Sequence, residues 1–285
     1  MTVNILEARG LCYDYPDGTR ALDHINLLIQ EGSRTAILGA NGAGKSTLFL
    51  HFNGIFQPTK GTMKYRGQDY KYQRRYLQQL KQRVGIVFQN PEYQLFSASV
   101  RQDISFGLLN MGYSSREARE KVNLMGEQMG INYLFDRPTH FLSAGQKKLV
   151  SLAGVMVMNP DLLVCDEPSA GLDPANTERF MKVIEKIQQQ GSTVVISTHD
   201  VNLAYSWADQ IYILDQGQVR AGGKPEQVLA DKDTLAICGM QQPWILECWE
   251  ELKKHGLIPA HQPPPRTKEE LFQLGDRDLI GKSLV

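Results

Sequence analysis

The sequence lacks the cysteine and histidine patterns that mark metal-binding or disulfide-linked proteins. Its four cysteines are scattered and form no C-x-x-C pair, which argues against a zinc site and a disulfide framework. Its six histidines show no ligand spacing, so we expect none to bind a transported ion. The sequence also lacks a net charge: Lys+Arg and Asp+Glu each number 31, so the formal net charge is zero. No global field therefore favours nucleic acid, which is not expected as a partner.

Long apolar runs and a targeting segment are absent as well. The longest apolar run, around Leu149 to Met158, is too short and too mixed to span a bilayer. The first residues lack a basic stretch followed by an apolar one, so no signal peptide is predicted. We therefore expect a soluble, cytosolic chain that can dock onto a membrane partner.

The sequence does contain a phosphate-binding pattern. Residues 39–46 have the form G-x-x-x-x-G-K-S, between a strand-like segment ending at Leu38 and a helix-like segment ending at Phe52. This context argues against an ordinary glycine-rich turn. Glycines let successive backbone N–H groups turn toward one anion, and a helix N-terminus adds partial positive charge. The predicted phosphate site consists of Gly39, Ala40, Asn41, Gly42, Ala43, Gly44, Lys45, Ser46 and Thr47.

Within such a loop the lysine and the serine have separate roles. Lys45 would reach the β- and γ-phosphates, and the Ser46 hydroxyl would bind Mg²⁺. Two acids, Asp166 and Glu167, follow a second strand-like segment. Because ligands of an open parallel sheet bind at the carboxyl ends of its strands, Asp166 is placed to hold Mg²⁺ with Ser46. Glu167 can polarise the attacking water. A helix-starting acid pair is the alternative interpretation.

The order of predicted elements indicates an α/β fold. Alternation over residues 3–33 predicts an antiparallel sheet with a turn at 16–18. Strands separated by helices imply a parallel core farther along the chain. The pattern is helical over about 98–158, and a capping box at 114–117 opens a helix through Gly130. The other predicted elements are strands at 62–65, 84–88, 161–166 and 192–197, a helix at 175–190, and a hairpin at 211–219.

Residues 142–146, Leu-Ser-Ala-Gly-Gln, resemble the L-S-G-G-Q signature of ATP-binding cassette (ABC) ATPases. Alone they would fit a serine-capped helix start. The resemblance implies a P-loop ABC ATPase with a RecA-like parallel core, an N-terminal antiparallel β subdomain and a helical subdomain over about 90–158. Residues 1–240 would form this domain. Residues 241–285 would form a short C-terminal extension, with an extended linker over 259–265 and some helix in the last twenty residues.

The resemblance also implies an ATPase that uses ATP and Mg²⁺, and it assigns further roles. Tyr15 resembles the aromatic residue that stacks on adenine, and Gln89 the glutamine that approaches Mg²⁺ and the attacking water. His199 resembles the switch histidine, and residues 169–173 resemble the D-loop. From the residues alone, Tyr15 could instead be a core side chain and His199 a strand cap.

In this family two cassettes pair head to tail around two ATP molecules. Ser143, Gly145 and Gln146 would then complete the ATP site of a second chain. Since all motifs lie on one chain, a homodimer would be sufficient. Ala144 departs from the signature by replacing its first glycine, and a Cβ disfavours positive φ. We therefore expect a helical backbone at Ala144, with Ser143 and the Gly145 N–H still facing phosphate.

Residues 89–107 resemble a narrower group, the energy-coupling factor (ECF) ATPases of vitamin and metal-ion importers. Four further stretches resemble the cobalt-transport ATPases of this group: residues 48–55, 138–143, 145–150 and 153–160. The resemblance implies cobalt uptake, with nickel or a vitamin as alternative cargo. It also implies a transmembrane coupling (T) subunit and a substrate-binding membrane subunit as partners, and a peripheral position on the cytoplasmic side of the cell membrane.

Two acids within residues 89–107, Glu92 and Asp103, are candidates for contacts with basic residues on coupling helices of a membrane subunit. Ordinary surface charge is the alternative. A soluble ABC ATPase acting on ribosomes or DNA is a further alternative for the whole chain. Such proteins carry two cassettes or a long inserted coiled coil, whereas the interval from Ser46 to Ser143 holds no sustained heptads.

Overall fold

The computed structural model describes residues 3–259 and 261–273. Its first layer is a four-stranded antiparallel sheet of order β2-β1-β4-β5. The long strands β1 (Asn4–Asp14) and β2 (Arg20–Gln30) form the hairpin that alternation predicts. The sheet is completed by β4 (Lys60–Tyr65) and β5 (Gln68–Asp69).

The second layer is a six-stranded sheet of order β10-β9-β3-β8-β7-β6. Its strands are β3 (Arg34–Leu38), β6 (Val84–Val87), β7 (Leu162–Cys165), β8 (Thr193–Thr198), β9 (Gln210–Asp215) and β10 (Gln218–Gly223). All neighbours are parallel except the hairpin of β9 and β10. Every residue of β6, β7 and β8 is buried, because parallel strands are covered on both faces. The predicted parallel core is confirmed.

Helices follow the predicted order. α4 (Ser115–Met129) has the predicted capping box between Ser114 and Glu117, and Gly130 caps its C-terminus with φ of 64°. α5 begins at Ala144 itself, so this position has the expected helical backbone. The helices are α1 (Lys45–Phe52), α2 (Arg74–Arg83), α3 (Val100–Asn110), α4 (Ser115–Met129), α5 (Ala144–Met156), α6 (Pro174–Gln189), α7 (Val201–Trp207), α8 (Pro225–Val228), α9 (Lys232–Ile237) and α10 (Trp244–Lys254).

Two hydrophobic clusters hold these layers together. One packs the antiparallel sheet and α1 against one face of the parallel sheet, with Ile29, Phe49 and Val195 among its members. The other joins α3, α4 and α5 to the opposite face, where Val150 and Ile196 belong to the same cluster. The helical region therefore shares a core with the parallel sheet, so α5 is held firmly beside the ends of β6 and β7.

Residues that follow β10 in the chain contact α7. The backbone N–H of Trp244 donates to Asn202 Oδ1 at 3.1 Å, and Arg266 Nε donates to the Tyr205 carbonyl at 2.6 Å. Residues 262–265 have no helix or strand, as the proline-rich sequence predicts, and 268–273 are helical. The rest of the last twenty residues, for which some helix is predicted, lies outside the described residues from 274 to 285. Within the described ranges, none of the helices is long and apolar enough to cross a membrane.

Candidate functional site

The predicted phosphate loop connects the carboxyl end of β3 to the first turn of α1. Gly44 caps α1 with φ of 103°, and a Cβ there would lie 2.7 Å from the Ala21 carbonyl oxygen. A Cβ on Gly39 would lie 2.5 Å from the Leu214 carbonyl oxygen. Only glycine fits both positions, since one needs a left-handed backbone and each meets a neighbouring main chain. Close packing between β2, β9 and the loop thus fixes the shape of the anion site.

A cleft of about 610 Å³ opens over this loop. Five separate segments of the chain form its wall: the β1–β2 turn, the P-loop, the end of β6, the end of β7 and the β9–β10 turn. The lining residues are Tyr15, Thr19, Arg20, Ala21, Ala40, Asn41, Gly42, Gly44, Lys45, Ser46, Thr47, Gln89, Asp166, Glu167, Gln216 and Gly217. The fold therefore brings most of the residues that the sequence singles out to one place.

One buried carboxylate lies between two candidate partners. Glu167 Oε1 is 3.1 Å from Lys45 Nζ, as an ion pair without hydrogen-bond geometry, and Glu167 Oε2 is 3.1 Å from His199 Nδ1. Lys45 Nζ also donates to the Gly39 carbonyl at 2.6 Å. The Glu167 side chain is 5% exposed whereas that of His199 is 67% exposed. His199 thus lies between solvent and the Glu167 carboxylate, which is otherwise buried in the protein.

A second group of oxygen atoms surrounds Asp166. Ser46 donates to Asp166 Oδ2 at 2.6 Å, and Ser197 donates to Asp166 Oδ1 at 2.5 Å. The backbone N–H of Glu167 donates to Ser197 Oγ at 2.8 Å. Mg²⁺ prefers oxygen atoms as ligands, so the Ser46 hydroxyl and the Asp166 carboxylate fit this ion. Ser197 is not among the predicted site residues, because its only sign in the sequence is a hydroxyl near the end of an apolar strand.

Tyr15 and Gln89 both lie on the cleft wall. The Tyr15 hydroxyl is 2.8 Å from Thr47 Oγ1, so this ring is tied to the helix that starts at the phosphate loop. Its ring meets Tyr13 edge to face, with centroids 5.2 Å apart. Gln89 is exposed just beyond β6. Tyr15 offers an aromatic surface beside the phosphate loop, and Gln89 an amide facing the cleft.

The signature residues lie outside this cleft lining. Ser143 is exposed and caps α5: its hydroxyl accepts from the Gln146 N–H at 3.4 Å, and Gln146 Oε1 accepts from the Ser143 N–H at 3.0 Å. Gly145 is packed against α6, and a Cβ there would lie 3.0 Å from Asn176 Oδ1. The predicted ATP-binding residues therefore form two separate surfaces of one chain. The Gln146 amide is already used by the helix cap.

Asp103 holds a turn of its own chain. It is buried on α3, and its Oδ2 accepts from the backbone N–H groups of Phe96 at 3.0 Å and Ser97 at 2.7 Å. Burial raises the pKa of the Asp103 carboxyl, against the lowering effect of these N–H donors. This internal role argues against the expected contact between the Asp103 carboxylate and basic coupling helices. Glu92 is exposed and pairs with Lys147.

Replacing Asp103 with alanine should lower the free energy of unfolding by about 1–3 kcal/mol, because two N–H groups lose their acceptor in a partly buried turn. Urea denaturation followed by circular dichroism measures this change. Asp136→Ala is the matched control, since its side chain is 96% exposed and should change stability little. Equal stabilities of the two variants would show that Asp103 does not hold this turn.

Within the described part of the chain, one mixed group of possible metal ligands lies outside the cleft lining. Donor atoms of Cys12, Asp23 and His24 lie within 4.8 Å of one another. Spacing in the sequence does not show this group, because Cys12 comes from β1 and the others from β2. His24 Nδ1 is 2.8 Å from Asp23 Oδ1, and the Arg20 guanidinium is 3.3 Å from the same oxygen. The adjacent cation opposes a metal ion, so we assign none here.

The chain is similar to known proteins over most of its length. Residues 22–170 match the family model described as ABC transporter. The chain is 43% identical over 250 residues to the energy-coupling factor transporter ATP-binding protein EcfA of Methanococcus maripaludis, covering 88% of this chain and 90% of that protein.

Two solved structures are similar. The structure of cbiO1 from Clostridium perfringens, part of the ABC transporter complex cbiONQ, is 42% identical with a TM-score of 0.75, over 88% of this chain and 99% of that one. A dimeric ATP-binding cassette in a post-hydrolysis state, bound to ADP and phosphate, is 25% identical with a TM-score of 0.71. That likeness covers 77% of this chain and 98% of the other.

Proposed function

The chain belongs to the ABC transporter family and is an ATPase subunit of the energy-coupling factor type, and from this premise we propose that it couples ATP hydrolysis to cobalt uptake. The observation that carries hydrolysis is the convergence of Lys45, Glu167 and His199 beside the P-loop. Cobalt is supported by the segments that resemble cobalt-transport ATPases, and the likeness to cbiO1, part of the complex cbiONQ, is compatible with it. The EcfA relatives support the wider transporter class without a cargo, so a vitamin is the alternative.

ATP fits the cleft because its wall combines a phosphate loop with an aromatic side chain. Ser46 and Asp166 would hold Mg²⁺, whose oxygen ligands they match, with Gln89 as a further candidate. Once bound, this ion neutralises charge on the phosphates. The roles of these residues rest on their positions in the cleft and on the family motifs.

The ion pair between Lys45 and Glu167 suggests an order of events. ATP phosphate competes for the Lys45 ammonium, which now lies 3.1 Å from Glu167 Oε1. Transfer of Lys45 to phosphate frees that oxygen to accept a proton from the attacking water. His199 stays beside the other oxygen and holds the carboxylate in position. ATP binding would thus convert a resting ion pair into a general base.

A second copy of the chain would complete each site. Ser143 and Gly145 lie outside the cleft that holds the P-loop, and Ser143 is exposed. A helix N-terminus with free N–H groups attracts phosphate, so the start of α5 suits the γ-phosphate of ATP held by a partner. We propose a head-to-tail homodimer, which agrees with the dimeric cassette bound to ADP and phosphate.

The membrane subunits would dock at an apolar groove between β6, α3 and α5. Phe88, Leu95, Phe96 and Phe106 line this groove of about 250 Å³. Phe96 and Phe106 meet edge to face at 4.8 Å and are both exposed. The groove adjoins Gln89, which lines the ATP site. Closure of that site would therefore move the residues of the groove. We therefore propose that a T subunit inserts an apolar helix here, with Glu92 at the edge.

Purification from membranes and transport together test this function. The tagged chain, expressed with its membrane partners, should recover a T subunit and a substrate-binding subunit. Vesicles containing the complex should accumulate radioactive cobalt when ATP is supplied on the cassette side, and Glu167→Gln should abolish accumulation. Vitamin uptake without cobalt uptake would overturn the cargo. Recovery of ribosomes or DNA in place of membrane subunits would overturn the transporter role.

Tyr15 gives a prediction about ATP affinity. Tyr15→Ala should raise the ATP Kd by about tenfold or more, because aromatic stacking on a base contributes roughly 1–3 kcal/mol. Tyr15→Trp keeps the stacking surface and should retain affinity. Tyr15→Phe keeps the ring but removes the hydroxyl that contacts Thr47, so it distinguishes the effect of the ring from that of the hydroxyl. Titration with a fluorescent ATP analogue measures all three. Equal Kd values would assign Tyr15 to packing alone.

A further inference from the structure

Lys148 is a buried lysine that the proposed mechanism does not use. It lies one turn into α5 and is 3% exposed. Its Nζ donates to the backbone carbonyl oxygens of Glu167 and Pro168, each at 2.9 Å. Among the described residues, no carboxylate forms an ion pair with it. Burying a cation costs free energy, which hydrogen bonds to two main-chain oxygens offset here. These two contacts therefore indicate a role in the structure around them.

The backbone that Lys148 holds is unusual. Glu167 has φ of 47°, in the left-handed region that side chains with a Cβ rarely adopt. Such a conformation costs of order 1–3 kcal/mol and persists only when its surroundings hold it in place. Three contacts do so at Glu167: its N–H donates to Ser197 Oγ, and its carbonyl accepts from Lys148 Nζ and from the backbone N–H of Ala170. They fix the peptide units on both sides of the catalytic candidate.

We propose that Lys148 is a positioning residue, which holds the left-handed backbone of Glu167 and thereby aims its carboxylate at the attacking water. Lys148 acts on the reaction through Glu167 and does not touch ATP. This inference rests on the proposed hydrolysis of ATP but not on the identity of the cargo. Burial lowers the pKa of Lys148 to about 8, which agrees with an ammonium held mainly by dipoles.

The position of Lys148 on α5 adds a second consequence. The same helix presents Ser143 at its exposed N-terminus and reaches Glu167 through Lys148 one turn later. A further contact joins α5 to the segment after Gln89, since Gln94 Nε2 donates to the Ser151 carbonyl at 3.2 Å. A shift of α5 caused by ATP on a partner chain would therefore be transmitted directly to the carboxylate of its own chain.

The test compares Lys148→Met with the matched control Lys182→Met, an exposed lysine on α6. Lys148→Met should lower kcat roughly 10- to 100-fold, because misplacing a catalytic group by about 1 Å costs this much. Its ATP Kd should stay within about threefold of the parent. Lys148→Gln retains two N–H donors and should recover part of kcat. Parental kcat for Lys148→Met would overturn the proposal.

A double mutant separates positioning from general packing. If Lys148 acts only through Glu167, adding Lys148→Met to Glu167→Gln leaves the residual turnover unchanged, because effects within one unit are not additive. A further loss in the double mutant would overturn the proposal. Should Lys148→Met fail to fold, the same comparison with Lys148→Gln decides. Absence of ATPase activity in the parent chain would refute the proposed function instead.

Discussion

Glu167→Gln is expected to lower ATP turnover by at least about 100-fold, because a general base contributes roughly 10²- to 10⁴-fold to such reactions. The glutamine amide keeps the size of the side chain but cannot accept the proton of water. Glu167 contacts His199 directly and is reached by Lys45, so it is the carboxylate that the fold places at the centre of the site. Release of phosphate from saturating ATP measures turnover.

The same variant should still bind ATP and should accumulate a closed dimer. Lys45, Ser46 and Asp166 remain in place, and the buried carboxylate that competes for Lys45 becomes neutral. Gel filtration with ATP should therefore show a dimer that persists. Glu178→Gln, an exposed residue on α6, is the control and should behave as the parent. Turnover at the parental rate in Glu167→Gln would remove Glu167 from the mechanism.

Mixing two inactive variants should restore ATP hydrolysis if each site is shared between chains. Ser143→Arg damages the signature surface, and Lys45→Ala damages the phosphate site. In a mixed dimer one site carries both lesions and the other carries neither. Random pairing of equal amounts makes about half of the dimers mixed, so about a quarter of the parental activity should return. The structural reason is the separation of Ser143 from the cleft that contains Lys45.

Subunit exchange must be checked for this result to be decisive. Different affinity tags on the two variants allow mixed dimers to be purified and their activity measured directly. Each variant alone should stay inactive at every concentration. A purified mixed dimer without activity would refute the shared site, whereas activity in Ser143→Arg alone would show that the signature surface is not needed.

Local patterns were enough to predict the architecture and its phosphate loop. The hairpin of β1 and β2, the parallel strands and the capping box of α4 are all present as predicted. Each depends on residues close together in the chain, so periodicity and spacing report them directly. The family resemblance is confirmed by the similar proteins, and with it the ABC ATPase fold. The roles of individual site residues stay predictions.

The sequence could not determine contacts between distant segments. Asp103 was expected to face a partner, yet the turn at Phe96 and Ser97 surrounds its carboxylate. An acidic residue on a helix looks the same in sequence whether it caps a neighbouring turn or faces solvent. Only the packing of α3 against that turn decides, because burial depends on which elements meet and in which register.

The sequence by itself determined that a P-loop and an acidic pair lie at the carboxyl ends of parallel strands. This placement also predicts that Ser46 and Asp166 come together, and they share a hydrogen bond although they are 120 residues apart in the chain; tertiary structure decided which further residues join them. It also brought Ser197 and Lys148 to the backbone of Glu167. The physical reason is that strand order and helix packing set these distances, while a hydroxyl or an ammonium carries no sequence mark of the oxygen it will meet.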